Sequence, residues 1–336
     1  MELKRLLKRG ALIVGANWQT VVLQFLARTT FQALLAIPVV GTAVVIAVLV
    51  GANLARLLEG GIRDILSGVM ATVQSEPIAL AAFGMAFGTA LLAGTALMAF
   101  VKGATVGVLV KAEAETGPFE LEPLFLDSFR HASRVSMPRL IEGGTRHFRR
   151  FLVAGILQLL VYGVSAAAGV VLLVYTYTAA EGFFLVMGWA IFATLAAAVL
   201  AVWITIVTLF HQLMQVVIVI DGMGVLPAFV RAVRFVRSDL RSVGSIFLVL
   251  LVILIVATLA AALAWSGVAL VAFVPLVGLA VVPLQIAAFV VRGLLFEYIA
   301  LIGLEAYVAL YRRNAGYPAA ASDPTVIGPR SISATG

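Results

Sequence analysis

The sequence predicts an all-α fold, a polytopic bundle of about six transmembrane helices. Of the 336 residues, 63% are hydrophobic and only 12% are charged, and the mean hydropathy is +1.13. A soluble domain usually carries about a quarter charged residues and under half apolar ones. A core of this length could not enclose so much apolar surface, so lipid must be the solvent for much of the chain.

Six apolar segments are long enough to cross a bilayer, which takes about 20 residues. They lie within 19–55, 78–110, 151–177, 184–220, 243–265 and 271–311. The first follows a basic start, as in a signal peptide, but it runs on to about Val50 without a convincing cleavage site. We therefore expect it to be retained. We expect one membrane domain over 1–313 and a disordered cytoplasmic tail over 314–336, rich in Pro, Ala, Gly and Ser.

The positive charges support this map. Of the 23 Lys and Arg residues, 18 fall in the segments on one side of the six spans, and only Arg56 and Arg63 fall in the opposite loops. By the positive-inside rule, we expect both termini to be cytoplasmic. The net charge of +7 then indicates contact with anionic lipid. We expect no nucleic-acid partner because no recognition motif accompanies the charge.

A rival map would break the first span at Pro38 and Gly41, giving seven crossings. It would place the arginine-rich second loop outside, against the charge rule, so we reject it. A kink or a partly re-entrant segment near Pro38 remains open. The segment 52–75 mixes charged and apolar residues, which is typical of a helix lying along the outer interface.

The chain also contains an apparent degenerate repeat. The sequence PVVGTAVV at 38–45 matches PLVGLAVV at 275–282, and a basic segment precedes the associated span in each case. The second loop likewise ends in a basic run before Phe151. We infer three units, each a basic cytoplasmic helix followed by a membrane hairpin; chance similarity between apolar segments is the alternative.

The basic segment 226–240 is predicted to be an amphipathic helix on the inner leaflet. Phe229, Val230, Val233 and Val236 share one side, and arginines recur at helical spacing on another. A similar stripe at Phe125, Phe129 and Ala132 occurs in the second loop. Arginines on such helices face lipid phosphates. The lipid headgroup candidates are Arg231, Arg234, Arg237, Arg241, Arg149 and Arg150.

This pattern resembles the bacterial membrane domain that is fused to some glycerophosphodiester phosphodiesterases, and related stand-alone membrane proteins of unknown function. The residues that carry the resemblance are AFVRAVRFVRSDL at 228–240 and PLVG at 275–278. It covers most of 1–313 and implies a location in the cytoplasmic (inner) membrane of a bacterium. The fused enzymes keep their catalytic residues in a separate soluble barrel, so the resemblance assigns no catalytic residue to this chain.

Ionisable residues inside spans are costly to insert and are therefore candidates for a substrate or ion path. These candidates are Lys102, His211, Arg292, Glu297 and Glu305. Each has a structural alternative: Lys102 could extend its charge to the interface, His211 could bond a neighbouring helix, and the glutamates could pair with arginines. Glu297 and Glu305 are eight residues apart and so share a helix face.

Glycines on the second span favour close helix packing. Gly84 and Gly88 form one G-x-x-x-G pair, and Gly103 and Gly107 form another, on either side of Lys102. Glycine at this spacing lets two helix backbones approach closely.

No catalytic constellation is evident. The chain lacks cysteine, which excludes thiolate chemistry, and no Walker loop, nucleophile elbow or zincin motif occurs at a sensible place. The three histidines lack metal-site spacing, so we expect neither metal nor cofactor. Acidic residues with His131 and His147 in the second loop could suggest phosphate chemistry, although a solvated charged loop explains them more simply.

Three functions remain. The first is a non-catalytic membrane scaffold or assembly subunit that contacts anionic lipid and protein partners in a membrane complex. The second is a transporter of a small or lipid-like solute that uses the intramembrane charges. The third and least favoured is a membrane-embedded lipid enzyme. Fold alone does not decide among them.

Overall fold

The computed structural model describes residues 2–50, 77–116, 133, 135–179, 183–272 and 277–317. Within these ranges the chain forms eight α-helices and no strand. They are α1 (Glu2–Ala16), α2 (Trp18–Val50), α3 (Pro77–Glu115), α4 (Met137–Ala179), α5 (Phe183–Asp221), α6 (Val225–Ser238), α7 (Leu240–Ala272) and α8 (Val277–Asn314). The predicted all-α fold is confirmed.

Six of these helices are long and apolar enough to cross a membrane. They match the six predicted spans, and the chain is an integral membrane protein. Helix α2 runs through Pro38 without a break, so the rival map that divides the first span there is wrong. Helix α4 begins at Met137, before the predicted start near Phe151. The basic run at the end of the second loop is therefore helical.

The contacts divide the chain into two compact units. The first comprises Met1–Val22, Ala104–Gly143 and Ala198–Gly336. Helix α8 packs along both α1 and α7 in this unit. Its core contains fully buried side chains from five helices: Ile13 of α1, Leu109 of α3, Leu213 of α5, Ile246 of α7 and Tyr307 of α8. This unit holds the polar contacts described below.

The second unit comprises Leu23–Gly103 and Gly144–Ala197. Its helices pack through small residues that meet aromatic rings: Gly94 of α3 lies against the ring of Phe31, and Gly144 of α4 lies against Phe100. Trp189 of α5 donates to the carbonyl of Leu173 on α4 at 3.2 Å. Apolar side chains such as Val171 are largely exposed on these helices, as expected where lipid covers them.

Two basic helices share one local layout. Helix α1 is separated from α2 by Asn17 alone, and α6 is separated from α7 by Asp239 alone. Each of these two inferred repeat units thus begins with a basic helix, and the repeat with its membrane hairpins stays a prediction. The motif at 275–278 lies partly outside the described residues. The segment 52–75, the stripe at 125–132 and the tail beyond residue 317 lie wholly outside them, so these expectations stay predictions.

Candidate functional site

The intramembrane charges occupy different environments. On α8, Glu305 is completely buried and Glu297 nearly so, whereas Arg292 is exposed. The two glutamates therefore share the buried face, as their spacing predicts. The Arg292 guanidinium lies 5.6 Å from the centre of the Phe296 ring, a cation–π contact within its own helix.

The remaining path candidates lie elsewhere. Lys102 is half-buried on α3 and belongs to the second unit. His211 is buried on α5, where its Nε2 lies 2.6 Å from Nε2 of Gln215, one turn along the same helix. The structure thus gives His211 a hydrogen bond within its own helix.

The glycines of the second span differ from one another. Apart from the adjacent backbone of α3 itself, no described atom would lie within 4 Å of a Cβ atom at Gly84 or Gly88, whereas a Cβ atom at Gly107 would lie 3.6 Å from Cα of Gly143 on α4. Gly103 is buried. Close packing through Gly84 and Gly88 stays a prediction.

A buried ion pair joins α1 to α3. Arg9 Nε donates to both carboxylate oxygens of Glu113, at 2.9 and 2.8 Å. Its Nη2 donates to the backbone carbonyl of Thr116 at 2.9 Å. Together with Glu305 these residues form the Glu113 cluster. One guanidinium thus binds a side chain and the end of α3, which is the geometry that favours arginine over lysine.

Glu305 lies beside this pair, at a point where α1 and α8 approach each other closely. A side chain at Gly10 would lie 2.9 Å from the carbonyl oxygen of Ile302 and 3.6 Å from Cβ of Glu305, so glycine allows α1 to reach α8. The carboxyl groups of Glu305 and Glu113 interact electrostatically. The two side chains are also close enough to share a hydrogen bond, and no other described group bonds either Glu305 oxygen. A buried carboxyl inside a span is costly to insert and is often functional.

A second polar group, the Asp221 cluster, joins α5, α6 and the end of α8. Tyr311 donates its hydroxyl to Oδ2 of Asp221 at 2.6 Å, and Tyr317 donates to Oδ1 at 3.0 Å. Arg231 Nε lies 3.2 Å from Oδ2 and 3.1 Å from the Tyr311 hydroxyl. The Asp221 side chain is only 4% exposed and that of Arg231 is 44% exposed. Three donors therefore compensate the buried carboxylate.

Helix termini bring these groups together. Gly222, with φ of 65°, ends α5 directly after Asp221, because glycine adopts the left-handed conformation without a steric cost. Gly316, with φ of 73°, follows α8 in the same way. The amide of Gly316 donates to Arg313 and that of Tyr317 to Arg312, which is a Schellman motif. This turn places Tyr317 against Asp221.

The Asp221 cluster raises the pKa of two of its groups that lie outside the spans, Arg231 and Tyr317. The hydrogen bond to Tyr311, together with the charge of Asp221, raises the pKa of Arg231. The hydrogen bond that Tyr317 donates to Asp221 raises the pKa of the Tyr317 phenol. Both hydrogen bonds are therefore formed at neutral pH, with Arg231 charged and Tyr317 protonated.

Helix α6 has a buried and an exposed side. Ala228, Ala232 and Phe235 are buried, and the Phe235 ring meets that of Tyr311 edge-on at 5.1 Å. The apolar side predicted for the inner leaflet consists of other residues, among which Phe229 and Val230 are exposed, and its contact with lipid stays a prediction. We define the α6 face as the exposed residues Leu226, Phe229, Val230, Arg231, Arg234 and Arg237. A cavity of about 460 Å³ lies along it, lined in part by Leu226, Val230 and Arg234.

The other lipid candidates lie apart from α6. Arg241 is exposed in the first turn of α7, in the first unit. Arg149 is exposed and Arg150 half-buried on α4, in the second unit.

Several residues of both clusters were not predicted as sites. Arg9 and Glu113 are 104 positions apart, and no local spacing indicates their pairing. Asp221 and Tyr317 had a weak signal, because each adjoins a glycine at a helix end. The sequence thus identified Glu305 and Arg231 but not the groups that surround them.

Comparison of the chain with protein-family models, with curated proteins and with solved structures gave no match. The resemblance to the membrane domain of phosphodiesterase fusions stays a prediction.

Proposed function

We propose that the chain is a non-catalytic membrane protein that binds anionic lipid along the α6 face and serves as a scaffold or assembly subunit. The observation that carries the proposal is the composition of this face. Exposed apolar side chains, Phe229 and Val230 among them, lie beside three exposed arginines. A membrane interface suits such a surface, because it offers hydrocarbon and phosphate within a few ångströms of each other.

The contacts of α6 hold it in a fixed position. Its alanines and Phe235 pack against the rest of the first unit, and Arg231 bonds Asp221 and Tyr311. Since Arg231 serves the Asp221 cluster, Arg234 and Arg237 are the residues best placed to bind phosphate groups. An arginine held near the surface of an anionic leaflet contributes about 1 kcal/mol to membrane binding.

The charge distribution along the sequence supports placing this face at the cytoplasmic leaflet. Eighteen of the 23 Lys and Arg residues lie in the segments on the same side of the six spans as α6. The cytoplasmic leaflet is also the more anionic one. In a bacterial inner membrane, with both termini cytoplasmic, the protein would gather anionic lipid around itself and present that patch to partner proteins.

Lipid selection tests this proposal. The full chain is reconstituted in bilayers of phosphatidylcholine with a minor share of phosphatidylglycerol, extracted with a polymer that retains nearby lipid, and the lipids are quantified. We expect phosphatidylglycerol enrichment in the wild type. Replacing Arg234 and Arg237 with Gln should weaken it by up to about 2 kcal/mol, at about 1 kcal/mol for each charge.

The matched control replaces the same two residues with Lys. It keeps the charge and should retain most of the enrichment. Equal enrichment in the wild type and the Gln variant would show that the α6 face does not bind anionic lipid.

Transport of a small or lipid-like solute is the second candidate function, and Glu305 favours it. A fully buried carboxyl inside a span, beside the second carboxyl of Glu113, is the type of group that proton-coupled transporters use. Proton flux into liposomes that contain a pH-sensitive dye tests this. Glu305→Gln should abolish the flux. The control is Glu115→Gln, which changes an exposed carboxylate on α3, two residues after Glu113, and should leave the flux unchanged. A flux that Glu305→Gln leaves unchanged would exclude this role.

A further inference from the structure

A groove lies where α1, α7 and α8 meet in the first unit. It has a volume of about 490 Å³, and we call it the junction pocket. Its lining residues are Leu3 and Leu6 of α1, Arg241, Ser242, Ser245 and Ile246 of α7, and Arg313 of α8. No residue of α6 is among them.

The polar part of the junction pocket suits an anion. Two arginines from different helices line it together with two serines, and none of its lining residues is acidic. Guanidinium groups bind phosphate through paired N–H donors, which makes arginine the preferred phosphate ligand. Ser245 donates its hydroxyl hydrogen to the carbonyl of Ser242 at 2.9 Å.

The start of α7 contributes little of this attraction. Asp239 Oδ1 already accepts the Ser242 amide at 3.3 Å, so a helix-terminal amide is occupied and a negative charge lies nearby. The case for an anion therefore depends on Arg241 and Arg313, with Lys4 and Arg5 exposed on the adjoining α1.

The apolar part of the pocket favours a lipid over a free anion. Leu3, Leu6 and Ile246 line it, and a free phosphate would leave these side chains uncovered, at a cost of about 25 cal/mol per Å². The pocket also lies at the ends of two candidate spans, Leu240–Ala264 and Val282–Asn314. Lipid phosphates lie at that depth, at the boundary of the hydrocarbon core.

From this geometry we propose that the junction pocket binds one anionic phospholipid, with its phosphate between Arg241 and Arg313 and its glycerol and first acyl carbons on Leu3, Leu6 and Ile246. The inference rests on the proposed function in that it gives the general lipid preference one specific site. It uses different residues from the α6 face, so the two can fail separately.

Native mass spectrometry of the full chain, titrated with phosphatidylglycerol in a mild detergent, tests the proposal. We expect one tightly bound lipid in the wild type. Replacing both Arg241 and Arg313 with Gln should weaken that first binding event at least tenfold, and replacing both with Lys should weaken it less. The double Gln variant of Arg234 and Arg237 should leave it unchanged.

A second variant tests the pocket independently, in case the charge variants do not fold. Leu6→Trp narrows the pocket without changing its charge and should also reduce binding of the first lipid. Phosphatidylcholine and inorganic phosphate are titrated as further probes. Competition by phosphate at millimolar concentration, together with tight lipid binding, supports the proposal. Binding of phosphate without preference for the lipid would overturn it, as would first-lipid affinity that neither the Gln variant nor Leu6→Trp reduces.

Discussion

The two basic helices α1 and α6 resemble each other in layout but differ in how they use their arginines. Each is separated by one residue from the long helix that follows. In α1, Arg9 is directed inward, and the Arg9 and Glu113 side chains are 13% and 9% exposed. In α6, Arg231 remains 44% exposed and Arg234 and Arg237 are exposed as well. Each helix thus combines one arginine that binds a buried carboxylate with other, exposed basic residues, and the carboxylate-binding arginine is much more deeply buried in α1 than in α6.

The single residues that separate α1 from α2 and α6 from α7 also differ in burial. Asn17 is fully buried, and its Nδ2 donates to the carbonyl of Ile13 at 2.8 Å. Asp239 is half-buried and caps the start of α7 through Ser242. A short polar side chain satisfies the backbone where a helix is interrupted. The buried break accompanies the helix that packs tightly, and the more exposed one accompanies the helix that faces outward.

The largest expected effect is a loss of stability when the buried arginine of α1 is removed. Arg9→Met should lower the free energy of unfolding by about 3–5 kcal/mol, because it leaves the Glu113 carboxylate buried without its charge partner. Thermal unfolding in detergent, followed by circular dichroism, measures the change.

The matched control for this prediction is Lys111→Met. Lys111 pairs with Glu142 at 3.7 Å, and these side chains are 46% and 58% exposed. An exposed pair contributes about 0–1 kcal/mol. If the two variants had equal effects, the inward role of α1 would be wrong.

A smaller effect tests how closely α1 approaches α8. Gly10→Ala should destabilise the protein by about 1–3 kcal/mol, since the added methyl group meets the Ile302 carbonyl oxygen at 2.9 Å and the helices must separate. The same thermal measurement applies. Gly84→Ala is the control: apart from the adjacent backbone of α3, no described atom lies within 4 Å of its new methyl group, so alanine should stabilise α3 by about 0.5–1 kcal/mol. A loss at Gly84 instead would indicate helix packing there, as its G-x-x-x-G spacing predicts.

The sequence was sufficient for the fold because the relevant signals are local. Apolar length predicted the six helices, and the eight-residue spacing of Glu297 and Glu305 predicted their common face. The pairing of Arg9 with Glu113 could not be predicted, because it depends on how α1 and α3 pack, and many charged residues could have met there. On α6, the larger apolar side chains suggested Phe229 and Val230 as the main apolar side. The structure instead buries Ala228 and Ala232, because small side chains allow a closer helix contact.

The smallest expected effect is a change in the pKa of Tyr317, a residue of the Asp221 cluster that holds α6. The phenol of Tyr317 has a pKa above its ordinary value of 10.0 because it donates to Asp221. A raised pKa means that this hydrogen bond stabilises the fold fully below pH 10.0 and is lost as the pH rises through the raised value. The difference in phenolate absorbance between the wild type and Tyr317→Phe reports this group alone. Its midpoint should lie above 10.0 and fall toward 10.0 in Asp221→Asn, while Glu115→Gln, at an exposed carboxylate, should leave it unchanged. A wild-type midpoint at or below 10.0 would mean that Tyr317 does not hold the end of α8 against Asp221 in solution. The α6 face would then depend on Arg231 and Tyr311 for its attachment.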